Sequence, residues 1–249
     1  MRLDVALADR GLARSRTHAQ RLIAQGRVRL DGAAATRAAT PVGPGAELAV
    51  DEDRYVSRAA HKLLGVLEPS GVQIPPRVLD AGASTGGFTQ VVLERGAGRV
   101  YAVDVGHGQL APALRSDPRV VVIERTNLRD LTPAHVESEP VGLVVADVSF
   151  ISLRLILAPM LSVLAADGEA LLLVKPQFEV GRAGLDGHGV VRDPKLRQGA
   201  LDQVVADAEA LGWRSAWTGE SPLPGAAGNI EYFLRLARPP LPPQPRDVA

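Results

Sequence analysis

Arg77-Val-Leu-Asp-Ala-Gly-Ala-Ser-Thr-Gly-Gly-Phe-Thr89 is the stretch on which the fold turns. A short apolar run ends in Asp80. A turn of small residues follows, and Phe88-Thr-Gln-Val-Val-Leu-Glu94 then has the pattern of a helix. Strand, Gly-rich turn and helix in that order make a nucleotide-binding crossover. Gly82, Gly86 and Gly87 allow a sharp turn and a close backbone approach to a ligand. The first N–H groups of the helix behind them lack an intrahelical acceptor and can meet that ligand.

The stretch departs from the dinucleotide fingerprint G-x-G-x-x-G, because Asp80 precedes the glycines and the spacing differs. No phosphate loop of the G-x-x-x-x-G-K-[ST] type is present. An acid ahead of the turn suits a ligand with amino and hydroxyl donors and a positive charge, such as S-adenosylmethionine. A second run, Arg99-Val-Tyr-Ala-Val-Asp104, ends in another acid roughly 20 residues on, where ribose hydroxyls would be held. The expected cofactor contacts are therefore Asp80, Gly82, Ala83, Ser84, Thr85, Gly86, Gly87, Phe88 and Asp104.

Outward from this unit, apolar runs alternate with helical segments. Strands are expected at 77–79, 100–103, 120–123, 142–146, 170–174, 214–218 and 232–236, and helices near 87–95, 108–115, 153–165 and 195–211. Near-continuous apolar strands separated by helices indicate a parallel sheet covered on both faces. The last two strands have only Gly219–Gly228 between them and read as an antiparallel pair at one edge. The expected fold class is α/β: a Rossmann-like, S-adenosylmethionine-dependent methyltransferase fold whose parallel sheet ends in a reversed hairpin. A helix from Ser57, with Ser57 as its cap, precedes the first strand; Leu63, Leu64 and Leu67 would face inward and Arg58, His61 and Lys62 outward. Residues 57–238 form this domain, 51–56 a charged linker and 239–249 a Pro-rich disordered tail.

Residues 1–50 read as a separate small α+β domain. Helices are expected at 4–10, capped by Asp4, and at 15–25, capped by Ser15 and ended by Gly26. A strand over 27–31, a turn at Asp31-Gly32 and a returning strand over 46–50 follow. The chain has 28 basic and 28 acidic residues, yet residues 1–50 carry 8 Arg against 4 Asp and Glu, a net of +4 balanced by −4 elsewhere. Arginine forks phosphate oxygens and stacks on bases, which suits structured RNA. The expected RNA-binding set is Arg2, Arg14, Arg16, Arg21, Arg27, Arg29, Arg58 and His61.

Composition narrows the rest. Without cysteine there is neither a disulfide framework nor a thiolate metal site, and His61, His107 and His188 lack ligand spacing. No apolar run reaches the roughly 18 residues of a membrane helix, and the start lacks the apolar core of a secretory signal. A cytoplasmic protein is expected.

Four ionisable residues fall at strand ends or on the leading helix: Lys62, Asp147, Lys175 and Glu231. A Lys ending a buried strand needs a partner, and Asp147 is the natural one. The set suits methyl transfer to a ribose 2′-hydroxyl, a poor nucleophile that needs a base or strong orientation. Lys175 would accept the proton, Asp147 would orient it and face the methyl donor, and Glu231 would hold Lys62 or the ribose. Two structural ion pairs bracing strand ends are the alternative. Gly181–Val191, rich in Gly and just past Lys175, reads either as a mobile lid or as a plain surface loop.

The N-terminal segment resembles the small RNA-binding module named after a ribosomal small-subunit protein. The resemblance rests on Arg2-Leu-Asp4, Gly11-Leu-Ala-Arg-Ser-Arg16, Ala19-Gln-Arg-Leu-Ile23 and Gly26-Arg-Val-Arg-Leu-Asp-Gly32. The whole chain to about residue 236 resembles the TlyA family of rRNA methyltransferases, whose catalytic domain is similar to FtsJ-like ribose 2′-O-methyltransferases. The matching stretches include Ser57-Arg-Ala-Ala-His-Lys62, Leu79–Thr89, Ala102–Leu110, Glu124-Arg-Thr-Asn127, Ala146–Ser152, Val174–Gly181 and Gly228–Phe233. The resemblance implies a Lys-Asp-Lys-Glu tetrad at Lys62, Asp147, Lys175 and Glu231, and Asn127 beside the adenine of the cofactor. It also implies transfer to a cytidine 2′-hydroxyl of ribosomal RNA in ribosomal subunits. Tyr55 and Ala59 depart from the family pattern, where Trp and Gly are expected. The family has also carried the label haemolysin, so a membrane-acting protein is one rival reading. A non-catalytic RNA-binding ribosome assembly factor is another.

Overall fold

The computed structural model describes residues 1–24, 26–51 and 54–239, without the side chain of Arg21. Pro240–Ala249 of the expected tail, and Glu52 and Asp53 of the expected linker, lie outside the described residues. The chain divides into two compact units, Met1–Arg54 and Tyr55–Ala249.

In the first unit, α1 (Leu3–Asp9) and α2 (Arg16–Ala24) pack on strands β1 (Val28–Leu30), β2 (Ala33–Ala34) and β3 (Leu48–Val50), in sheet order β2-β1-β3. Asp31 and Gly32 both take positive φ, 51° and 78°, and join β1 to β2 with Leu30 opposite Ala33. Two consecutive left-handed residues match the right-handed twist of a tight hairpin. Leu3, Leu7, Leu22, Ile23 and Val28 form the buried core. Ser15 caps α2 by accepting the His18 N–H at 3.1 Å. Asp4 is not a cap. The helix starts at Leu3, which places Asp4 inside its first turn, fully buried.

The second unit runs α3 (Ala59–Ser70), β4 (Arg77–Ala81), α4 (Gly87–Glu94), β5 (Arg99–Val103), α5 (Pro112–Arg115), β6 (Val120–Ile123), β7 (Val141–Ala146), α6 (Leu157–Ser162), β8 (Leu164–Val174), α7 (Pro176–Glu179), α8 (Pro194–Ala210), β9 (Arg214–Glu220) and β10 (Tyr232–Ala237). The strand order is β6-β5-β4-β7-β8-β10-β9. The expected reversal at the edge is present, but β10 alone is reversed. It inserts between β8 and β9, antiparallel to both. The helix expected over 108–115 shrinks to α5, and residues 164–165, expected as helix, already pair in β8. α3 begins after Arg58, not at Ser57. Tyr55 and Val56 belong to this unit rather than to a linker, since Tyr55 Oη donates to Glu94 and the Val56 N–H to Gln90.

Strand side chains alternate between faces, and two hydrophobic layers record it. Leu79, Tyr101, Val144, Leu172 and Leu234 face one layer, with α6 and α8 residues such as Met160 and Val204. Val78, Val100, Val145, Leu173 and Phe233 face the other, with Leu63 and Val66 of α3 and Val91 and Val92 of α4. Asp80, Asp104, Asp147, Lys175 and Glu231 continue the second alternation. All five therefore sit on the α3–α4 side of the sheet.

Candidate active site

Three cavities meet at the ends of β4, β7 and β8. One of about 490 Å³ is lined by Gly82, Ser84, Asp104, Gly106, Asn127 and Leu128, among others. One of about 470 Å³ is lined by Arg58, Lys62, Lys175, Gln177, Phe178, Asn229 and Glu231, among others. The third, about 410 Å³, lies over the Gly-rich turn and includes Asp80, Ala83, Thr85, Gly87 and Phe88. Asp147 and Ser149 border all three. The volumes lie in the range of small-molecule sites.

Local geometry explains the turn. Gly82 has φ 83°, and a Cβ there would lie 2.9 Å from the Asp147 carbonyl oxygen, so only glycine lets the turn touch the end of β7. Gly86 does not line these cavities; it is the left-handed N-cap of α4. Gly87 is helical. Its missing Cβ makes room for Ser57 and the start of α3, so it serves packing rather than turning. Phe88 stacks on Phe233 at 6.2 Å and belongs mainly to the core.

Asp80 is fully buried. Its Oδ2 accepts from Thr89 Oγ1 at 2.6 Å, while Oδ1 has no hydrogen-bond partner. Burial pushes its pKa up to about 7; the Thr89 hydrogen bonds oppose the shift, and the carboxylates of Asp147 and Asp104 add to it. Asp104 is satisfied differently, accepting the backbone N–H of Ser84 at 2.9 Å and of Gly106 at 2.7 Å. Asn127 lines the 490 Å³ cavity and caps the short helix that follows by accepting from Arg129 N. A buried carboxylate with an unpartnered oxygen on the 410 Å³ cavity, and a second acid, Asp104, on the adjoining 490 Å³ one, fit a cationic adenosyl ligand.

Lys62 and Glu231, far apart in sequence, are joined by a buried ion pair of 2.6 Å. Lys62 was expected on the outer face of its helix. It is instead buried, because the sheet end supplies a carboxylate to meet it. The second oxygen of Glu231 accepts from Gln177 Nε2 at 3.0 Å. Lys175 Nζ lies 2.6 Å from Asp147 Oδ1, off the hydrogen-bonding direction, and donates to Ser149 Oγ at 2.8 Å. The two pairs share the 470 Å³ cavity. Residues missed in the sequence are Ser149, Gln177 and Asn229. A signal existed: each is polar and lies two positions from Asp147, Lys175 or Glu231.

The expected RNA-binding residues fare unevenly. Asp4 accepts from Arg2 at 3.0 and 3.2 Å, from Arg16 at 2.8 Å and from Gln20 at 2.7 Å. Arg27 donates to the Asp51 carbonyl oxygen, and Arg29 to the Asp51 carboxylate at 3.0 Å. Arg14 is exposed; the side chain of Arg21 lies outside the description. In the second unit, Arg58 lines the 470 Å³ cavity and donates to the Pro224 carbonyl, while His61 sits edge-on to Tyr55 at 5.2 Å. Arg2, Arg16, Arg27 and Arg29 are thus anchored rather than part of a loose basic face. Gly181–Val191 is likewise folded: Asp186 accepts from the N–H groups of His188 and Val190 and from Arg192. Among the described residues no group of three His, Asp or Glu is placed to hold a metal ion, and no helix is long and apolar enough to cross a membrane.

A reversed strand in a doubly wound sheet, with a ligand cavity at the switch between β4 and β7, defines a Rossmann-like methyltransferase domain behind a small α+β domain. A family model described as FtsJ-like methyltransferase matches residues 55–238, and one described as S4 domain matches 1–48. A Mycobacterium tuberculosis protein named 16S/23S rRNA (cytidine-2′-O)-methyltransferase TlyA is 52% identical over 239 residues, spanning 94% of this chain and 89% of that protein. This chain belongs to the TlyA family of FtsJ-like methyltransferases. A Brachyspira hyodysenteriae protein named Hemolysin A is 38% identical, over 95% of this chain and 99% of that one. A solved structure from Streptococcus thermophilus is 37% identical, covers 97% of this chain and 90% of its own, and superposes with a TM-score of 0.75. The haemolysin reading is corrected here: the name recurs among relatives, but the domain it is attached to is a methyltransferase.

Proposed function

We infer that this chain transfers a methyl group from S-adenosylmethionine to the ribose 2′-hydroxyl of a cytidine in ribosomal RNA, acting on ribosomal subunits in the cytoplasm. The reading is carried by the position of Asp147, which borders both the cavity of Asp104 and Asn127 and the cavity of Lys62 and Glu231, and which is paired with Lys175 in the second. A donor in the first and an acceptor in the second would meet there. The cofactor, when bound, supplies an electrophilic methyl group on a sulfonium.

Asp80, Asp104 and Asn127, with Gly82, Ala83, Ser84 and Thr85 of the turn, hold the cofactor. Lys175 Nζ, in its neutral amine form, takes the proton of the attacking hydroxyl and becomes the ammonium that Asp147 stabilises, and Asp147 and Ser149 fix where that nitrogen sits. Glu231, itself held by Gln177, keeps Lys62 in place to orient the ribose. The displacement is in line, so alignment supplies much of the acceleration. Arg2, Arg14, Arg16, Arg21, Arg27 and Arg29 of the first unit, with Arg58 and His61, engage RNA backbone. The activity for which the Mycobacterium tuberculosis relative is named supports the choice of nucleotide and substrate.

The test is incubation with tritiated S-adenosylmethionine and each purified ribosomal subunit, followed by mapping of the label. Label on a cytidine ribose is expected. Label on a base, or none in either subunit, would remove the reading.

A further inference from the structure

The acceptor-side cavity has two walls made of loop rather than of strand or helix. One is the Gly-rich segment 185–191 and the other is the turn 224–228. Neither belongs to an element that would fix its position. Both are tied to one residue, Asn229, the first through its side chain and the second through its main chain, where Arg58 also holds the Pro224 carbonyl. Asn229 is 3% exposed. Its Oδ1 accepts from the Val191 N–H at 3.0 Å, and its Nδ2 donates to the Gly189 carbonyl oxygen at 3.0 Å. Its own carbonyl accepts from the Gly225 N–H at 2.8 Å. An amide is the one side chain that offers an acceptor and a donor side by side to two groups of one loop.

The clamp also bears on Glu231, two residues away. A Cβ on Gly225 would lie 2.6 Å from Glu231 Oε1, so the turn rests directly against the carboxylate that holds Lys62.

We propose that Asn229 is a positioning residue for the acceptor nucleotide: it sets the separation of the two loop walls and thereby the shape of the pocket that receives the ribose and its base. It touches no reacting atom. The proposal rests on the methyl-transfer reading for its substrate, but its first readout does not.

Asn229→Ala removes both bonds to the Gly189–Val191 segment. In the isolated full-length protein, amide exchange at Val191 is expected to rise about tenfold, the equivalent of one buried hydrogen bond lost. With ribosomal substrate, KM for RNA is expected to rise about tenfold while kcat changes less than about threefold, since only wall position is disturbed. The dissociation constant for S-adenosylmethionine stays at the wild-type value. Asn229→Asp keeps the acceptor for Val191 and loses the donor to Gly189, so Val191 exchange returns toward wild type while KM is only partly recovered. Unchanged Val191 exchange or an unchanged KM in Asn229→Ala overturns the proposal. So does loss of cofactor binding, which would make Asn229 a support of the fold. Faster exchange together with absent methyl transfer in the wild-type protein would instead count against the substrate reading alone.

Discussion

Asp4 in the first unit and Asp80 in the second are both aspartates without solvent exposure, and their environments push them in opposite directions. Asp4 is covered by its own donors. Three side chains satisfy it, Arg2 first among them, and hold its pKa well below the usual carboxylate range. Asp80 is buried in the deep interior with one oxygen unpartnered, and burial raises its pKa. A saturated carboxylate finishes a structure; the arginines around Asp4 keep about half their side-chain surface outward, available to a polyanion. A carboxylate with a vacant oxygen invites a ligand. The same contrast runs through the second unit, where Glu231 is fully engaged by Lys62 and Gln177 and Asp147 is not.

The largest effect is expected at the least saturated pair. Lys175→Ala should lower turnover by about 10²–10⁴-fold, the usual worth of a positioned base, with cofactor affinity by calorimetry nearly intact. Unchanged turnover in single-turnover assays would remove Lys175 from the chemistry.

At the saturated pair the expected effect is on stability. Glu231→Ala leaves Lys62 buried and alone, and a loss of about 3–5 kcal/mol is expected in chemical denaturation. Replacing both by Lys62→Met and Glu231→Leu should recover most of that stability without recovering activity. If the single change is harmless, the pair is not as desolvated as its geometry implies.

Asp80 gives a smaller and pH-dependent effect. A cationic ligand favours its ionised form, so affinity for S-adenosylmethionine should rise with pH up to about 7 and level off above it, by at most about tenfold per pH unit. Asp80→Asn should flatten the part of that rise due to this group. Identical titration profiles for both proteins would mean that Asp80 does not face the ligand's charge. For the unliganded fold the sign is reversed: a raised folded pKa means that stability grows as pH falls from about 7 toward the ordinary carboxylate value.

The smallest effect is expected at Asp4. Its depressed pKa stabilises the first unit above the ordinary carboxylate range, and that contribution is lost as pH falls toward the folded value. Asp4→Asn should make amide exchange in residues 1–50 faster at neutral pH and less sensitive to acid. An unaltered acid dependence would show that the hub contributes nothing to folding.

Much of the site was legible because strand alternation is local. Asp80, Asp104, Asp147 and Lys175 each end an apolar run in the same phase as the residues facing α3 and α4, and Glu231 precedes β10 in that phase. The turn after β4 was equally readable, since small residues between a strand and a helix have few other uses. Lys62 misled, because Leu63, Leu64 and Leu67 suggested an inward face that excluded it. No helical periodicity records that a carboxylate waits on the other side. The arginines of the first unit misled in the opposite sense: their number suggested a free basic face, and Asp4 and Asp51 claim four of them.

By itself the amino-acid order determined the succession of elements, the ligand-side ends of the strands and the face on which each strand-end charge lies. Those follow from side-chain alternation and from turn chemistry within a few residues. Only the tertiary structure decided which charge meets which. β10 enters between β8 and β9 and carries Glu231 to Lys62, and Asn229 on the same approach ties the Gly189–Val191 segment to the turn before β10. Partner choice depends on strand order and helix docking, and those are set by burial summed over the whole unit rather than by any local pattern.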